Sequence, residues 1–147
     1  MIRVLGPGDE AVLDRVGEGV FDEAIDPALA REFLADSRHH LCVAVDDGVV
    51  VGFASALHYI HPDKPAELWV NEVGVANTHR ERGVAKAILA VLFEHARTLG
   101  CKQAWVLTEG SNVAALKLYH ATGGKPTAIH PVLFEFDLVP PEGTKDP

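Results

Sequence analysis

The chain has 147 residues, enough for one domain with a real core, and its 48% hydrophobic and 23% charged residues read as globular. A net charge of −8 argues against general nucleic-acid binding, and no apolar run approaches the ~20 residues needed to span a membrane. No long apolar stretch follows Met1 and Cys42 and Cys101 form no CxxC pair, so a cytoplasmic protein without a signal peptide, with two buried thiols, is expected.

Ile2 to Leu5 is short and apolar and reads as a first strand. Gly6-Pro7-Gly8-Asp9 supplies turn residues, with Asp9 as the N-cap of a helix that places Val12, Leu13, Val16, Val20 and Phe21 on one face. Gly17 and Gly19 weaken that helix near its end. Asp26-Pro27 is a cap followed by a proline at the first helical position, which predicts a second helix with Leu29, Phe33 and Leu34 turned inward. Leu41 to Val45 and Val49 to Tyr59 read as two strands joined by the hairpin turn Asp46-Asp47-Gly48. His61-Pro62-Asp63-Lys64-Pro65 must be a loop, because two prolines cannot sit in a sheet interior.

The β-prone run Leu68 to Val75 is followed by a short turn and then by Val84, Ala87, Ile88, Val91, Leu92, Ala96 and Leu99 at helical spacing. Such a strand–turn–helix junction aims unpaired N–H groups and the positive end of a helix dipole at one spot. Gly83 leaves the backbone open to an anion, and Arg80, Arg82 and Lys86 add positive charge. Neither a P-loop nor a Gly-x-Gly-x-x-Gly fingerprint is present. Lys102 to Leu107 is the next strand and should run parallel to the preceding one in a right-handed crossover. Asn112 caps a helix to about Ala121, which Gly123-Gly124 ends. Leu133 to Leu138 is expected to be a last strand. The organisation is thus one domain over residues 1–138, with 139–147 a mobile tail.

Charge is unevenly placed. Residues 1–40 carry nine acidic and four basic side chains, whereas residues 79–102 carry five basic and two acidic. An anionic cofactor at the basic stretch and a cationic second substrate would suit this asymmetry, although an acidic solvated surface accounts for the excess equally well.

Arg80-x-x-Gly83-x-Ala85, five residues after Val75, resembles the acyl-CoA pyrophosphate loop of the GNAT superfamily of N-acetyltransferases, whose pattern is Arg/Gln-x-x-Gly-x-Gly/Ala. Asn112-x-x-Ala115-x-x-Leu118-Tyr119-x-x-x-Gly123 follows at the family's distance, and the resemblance covers roughly residues 41 to 138. It implies an α/β (α+β) domain: a mixed, mostly antiparallel sheet with a central splayed parallel strand pair and flanking helices. It also implies acetyl-CoA as acyl-donor cosubstrate. Its phosphates would lie on Arg80, Glu81, Arg82, Gly83, Val84, Ala85 and Lys86, with Asn112 and Tyr119 also at the cofactor. The resemblance further implies a bulge near Val75, with the pantetheine arm bonded to the backbone of Val73 and Val75 and a backbone N–H aimed at the thioester oxygen. Gly74 fits a distorted strand.

Tyr119 is the expected acid for the leaving thiolate, since an ordinary phenol and an alkyl thiol have similar pKa values near 10. Its alternative role is packing beside Ala115 and Leu118. For the base, Trp69 and Asn71 stand where other members carry it, and neither can serve. That leaves Glu72 first and Glu109 second, with water an open alternative. Asp22 and Glu23, on the helical pair that forms one acceptor wall in the family, join Glu72 and Glu109 as acceptor-binding candidates. His58 and His61 read as a surface loop pair, and the eight histidines show no metal-ligand spacing.

The shared acidic residue Glu72, the His79-Arg80 pair and the ending Phe134-Glu135-Phe136-Asp137-Leu138 look closest to small aminoglycoside 3-N-acetyltransferases. The expected partner is a small-molecule amine, aminoglycoside- or polyamine-like, and a homodimer stays open. The rivals are acetylation of a protein lysine or N-terminus, and a non-catalytic acyl-CoA-binding sensor.

Overall fold

In a computed structural model that describes residues 1–139, five strands form one sheet in the order β1-β2-β3-β4-β5. They are β1 (Ile2–Leu5), β2 (His39–Asp46), β3 (Val49–Tyr59), β4 (Glu67–Val75) and β5 (Gln103–Val106). The first three pairings are antiparallel, and β4–β5 is parallel, as the crossover through an intervening helix requires. Helix α1 (Pro27–Ala35) precedes β2, α2 (Val84–Thr98) joins β4 to β5, and α3 (Val113–Ala121) follows β5. The sheet is mixed and mostly antiparallel with flanking helices, as expected. The tail beyond residue 139 lies outside the described residues.

Local chemistry accounts for most boundaries. Asp26 Oδ1 accepts from Ala28 N at 2.9 Å and Leu29 N at 3.1 Å, and Pro27 opens α1. Asn112 Oδ1 accepts from Ala115 N at 3.1 Å at the start of α3. The β2–β3 turn places Asp47 and Gly48 at φ 49° and 73°, the left-handed pair a tight hairpin demands.

The core lies between the sheet and α2. Ile88, Leu89, Leu92 and Ala96 of α2 are buried against Cys42, Ala54, Ala56, Leu68 and Val70. Gly52 lets α2 approach: a Cβ there would sit 3.0 Å from both Ile88 Cδ1 and Val84 Cγ1. The two cysteines are buried free thiols, and burial pushes Cys42 up to about 11.

Four expectations need correction. The first helix is only a 3-10 turn, Glu10–Asp14, and Asp9 does not cap it; its carboxylate accepts from Gly6 N instead. Val16 makes a parallel bridge to Val50, with Gly17 N donating to Val50 O, so the chain leaves helical geometry to pair with β3. Leu29 is 63% exposed, because α1 turns Phe33 and Leu34 to the core and leaves the opposite flank to solvent. No strand forms over Leu133–Leu138: among the described residues these have no ladder partner, and Phe134, Phe136 and Leu138 are exposed. The parallel pair therefore ends the sheet, with β5 at its edge, instead of lying at its centre.

Candidate active site

The site is built around β4. Its register with β3 shifts between Ser55 and Ala56: Val70 pairs with Ala56 and Glu72 with Ser55, leaving Asn71 as an extra residue. The bulge is thus at Asn71, four residues before the expected position near Val75. Strict alternation from Trp69 would put Glu72 on the opposite face. The extra residue brings Glu72 back to the face of Trp69, because Ser55 and Leu57, their partners on β3, share one face.

Gly74 has a different reason for being glycine. Its Cβ would collide with the backbone oxygen of Val20 and lie 2.8 Å from Phe53 Cε1. The segment before α1 crosses the end of β4 here, and Phe21 stacks on Phe53 with centroids 4.0 Å apart. Asp22 and Glu23 follow Phe21 and are exposed on this side of the sheet.

Beyond Val70↔Val106 the β4–β5 ladder stops. Ala76 N–H donates to Val51 O at 2.8 Å, toward β3. By alternation Val73 and Val75 aim their N–H groups the other way, into the gap where β5 no longer pairs. Arg80 Nε donates to Val75 O at 3.4 Å and ties the start of the basic turn to this strand end. Glu72 and Glu109 are exposed and stand two and three residues past the last β4–β5 pair. Ser111 Oγ donates to Glu109 Oε2 at 3.5 Å.

The basic turn is an open cradle. Glu81 and Gly83 have φ of 61° and 75°, and a Cβ on Gly83 would meet nothing within 4 Å. Ala87 N bonds to Gly83 O, so the N–H groups of Val84, Ala85 and Lys86 precede the first turn's acceptors and need partners from outside the helix. Arg80, Arg82 and Lys86 are exposed around them. His79 Nε2 pairs with Asp46 Oδ2 at 2.7 Å and anchors the turn to the β2–β3 hairpin. Free amides, a left-handed glycine and three cations fit the phosphates of a CoA thioester.

Tyr119 lies on the other face of the sheet. It lines a hollow of about 200 Å³ with Val70, Leu89, Phe93, Ala104 and Val106. Burial pushes its phenol above the ordinary value, so it stays protonated through the neutral range. Asn112 is committed to capping α3.

Two groupings escaped the sequence reading. His58 is no loop residue: its Nδ1 is 2.7 Å from His40 Nε2, and His95 Nε2 is 3.3 Å from His40 Nδ1, a three-histidine chain beneath α2. Trp69 and Trp105 face each other across β4–β5 and stack at 5.5 Å and 12°. Alternation in Leu68-Trp69-Val70 was the available signal, since Leu68 and Val70 are buried and Trp69 points to the other face. Among the described residues no group of His, Cys, Asp and Glu is arranged to hold a metal ion.

Residues 12–123, most of the chain, match the Acetyltransferase (GNAT) family, and the chain belongs to it. Acetyl-CoA is the acyl donor of this family of enzymes. The chain is 28% identical over 100 residues to N-acetyltransferase 8B of Homo sapiens, covering 67% of this chain and 44% of that protein. It is 29% identical over 89 residues to aminoglycoside N(6')-acetyltransferase type 1 of Salmonella typhimurium, covering 58% of this chain and 61% of that one. The matched stretch therefore spans less than two thirds of either relative. Among solved structures, aminoglycoside N-acetyltransferase AAC(6')-Iy in complex with CoA is 25% identical, with a TM-score of 0.72 over 95% of each chain. These aminoglycoside enzymes carry the 6' designation, whereas the resemblance in sequence pattern was to 3-N enzymes.

Proposed function

We propose that this protein transfers an acetyl group from acetyl-CoA to a primary amine on a small cationic molecule, by direct attack within a ternary complex. The observation that carries the reading is the parting of β4 from β5 beyond Val70↔Val106, with Glu72 on one sheet face and Tyr119 on the other. Glu72 holds the acceptor's ammonium and, directly or through water, takes its proton. The N–H groups of Val73 and Val75 orient the donor's arm and stabilise negative charge on the carbonyl oxygen. The cradle at Gly83 holds the phosphates. The bound donor supplies the activated acyl group: the C–N bond forms as the C–S bond breaks. Tyr119 gives its proton to the departing thiolate and regains one from solvent. The products are the amide, the free thiol and one net proton.

The aminoglycoside-acetylating relatives support a small polyamine-like acceptor, and the acidic side chains of Glu72, Asp22 and Glu23 suit a cation. A second reading, acetylation of a protein amine, draws on the openness of this face, where Glu72 and Glu109 are exposed. A free-thiol assay with acetyl-CoA and a panel of small amines, lysine peptides and N-terminal peptides separates the two. Tight acetyl-CoA binding without thiol release for any acceptor would replace both with the sensor reading.

A further inference from the structure

On the sheet face that carries Glu72, four side chains form a continuous aromatic surface. Trp69 and Trp105 stack nearly parallel. Tyr59, at the end of β3, stands edge-on to Trp105 with centroids 6.5 Å apart, and its hydroxyl accepts from Trp105 Nε1. His61 meets Tyr59 edge-on at 5.2 Å and is held by Glu67, with Nε2 and Oε2 2.6 Å apart. Trp105, Tyr59 and His61 are therefore held in orientation by polar contacts at their rims, and Trp69 by its stacking on Trp105. Trp69 also lines a shallow hollow with Phe33, His39 and Asn71, continuous with the bulge.

Core packing alone does not explain the arrangement. The buried side of β4 is the opposite one, where Leu68 and Val70 meet α2. Helix α1 packs on β2, three strands from β5 in the sheet order, and Trp105 keeps 37% of its surface in solvent. A partly exposed pair of stacked indoles on the face that carries Glu72 is a surface suited to a flat or ring-shaped cation: π faces attract the charge and cover the ring, and the carboxylate takes the ammonium. Trp69 and Glu72 are three residues apart on one face, about 7–10 Å along the strand. That spacing matches a ring with a short aminomethyl arm.

We propose that the Trp69–Trp105 pair is the acceptor platform, binding the ring of a ring-bearing primary amine whose ammonium points to Glu72 at the mouth of the β4–β5 gap. This rests on the proposed acetyl transfer but selects within it: ring-borne amines are preferred to linear ones. Trp69 and Trp105 are binding residues, and their loss raises the acceptor's KM far more than it lowers kcat.

The test uses the fact that the chain holds only two tryptophans. All indole fluorescence comes from the platform. The full chain is titrated with cyclohexylmethylamine, with n-heptylamine as the linear probe and cyclohexylmethanol as the uncharged one. A saturable emission change is expected for the ring amine, at roughly tenfold lower concentration than for either control. Trp105→Leu keeps an apolar strand residue without a π face, and Trp105→Ala removes more; a thermal melt reports folding of each. In whichever folds, ring-amine affinity measured calorimetrically falls roughly tenfold while acetyl-CoA affinity is unchanged. Equal affinity for the ring and linear amines, or wild-type ring-amine affinity in a folded Trp105 variant, overturns the platform. These binding readouts need no turnover. Ring-amine binding without thiol release keeps the platform and removes the acetyl-transfer reading, whereas transfer to ring amines with a KM untouched by Trp105→Leu does the reverse.

Discussion

The backbone carbonyl of Val20 lies directly over Gly74, so close that no β-carbon fits at position 74. This contact seats the segment carrying Asp22 and Glu23 across the end of β4, two residues from Glu72. Gly74→Ala must push two backbones apart, since the obstacle is a carbonyl and not the tip of a flexible side chain. A loss of about 1–3 kcal/mol is expected, the usual cost of overpacking. Urea unfolding should show a lower midpoint with an unchanged slope. An unaltered midpoint would mean that the segment does not rest on Gly74 in solution.

Gly83 is the converse case. It is left-handed at φ 75° with open space beside it, so a side chain meets strain but no clash. Gly83→Glu should cost about 1–2 kcal/mol of stability and place a negative carboxylate in the phosphate cradle. Calorimetric titration is expected to show acetyl-CoA affinity reduced by tenfold or more in a folded variant. Wild-type affinity would locate the phosphates away from this turn.

Tyr119→Phe keeps the ring that fills the hollow beside Val70 and removes the proton. Turnover should fall by about 10²-fold with little change in acetyl-CoA affinity. Because burial raises the phenol above its ordinary value, the alkaline loss of wild-type activity should begin above the usual tyrosine range and disappear in the variant. Glu72→Gln acts on the other face and should raise the acceptor's KM, lower kcat, or both. Unchanged turnover in Tyr119→Phe, with chemistry rate-limiting, would leave Tyr119 a packing residue.

His40 gives the fold a pH dependence of definite sign. Burial, followed by His95, His58 and His39, holds it down to about 4 from an ordinary 6.5, against a smaller upward pull from Asp36. Between those values the unfolded chain carries a proton that the folded chain does not. Stability therefore rises with pH through this window and is lost as pH falls. His58, lowered by burial, then by Arg38 and His95, acts in the same direction. The denaturation midpoint should be lower near roughly pH 5 than near neutrality, and His40→Gln should flatten that slope. A wild-type midpoint independent of pH across this range contradicts a buried neutral His40.

Features set within a few residues were legible in the sequence. Asp26-Pro27 and Asn112 mark helix starts because a side-chain oxygen meets amides two or three residues on, whatever the rest of the chain does. Asp46-Asp47-Gly48 forms the hairpin because its backbone tolerates positive φ. The strand, the basic turn with Gly83 and the helix follow from residue type and period, and with them the family. Features that depend on a distant partner were not legible. The helix expected after Asp9 gave way because Val16 finds β3, and Leu133–Leu138 forms no strand because a strand requires a neighbour to bond to. Position 74 reads as a bulge glycine until Val20 is seen above it. Above all, the face on which Glu72 stands was decided by one extra residue, Asn71, in the β3–β4 register. Side chains on a strand alternate with period two, so a single unpaired residue reverses every assignment beyond it, and only the pairing of two strands reveals where it lies.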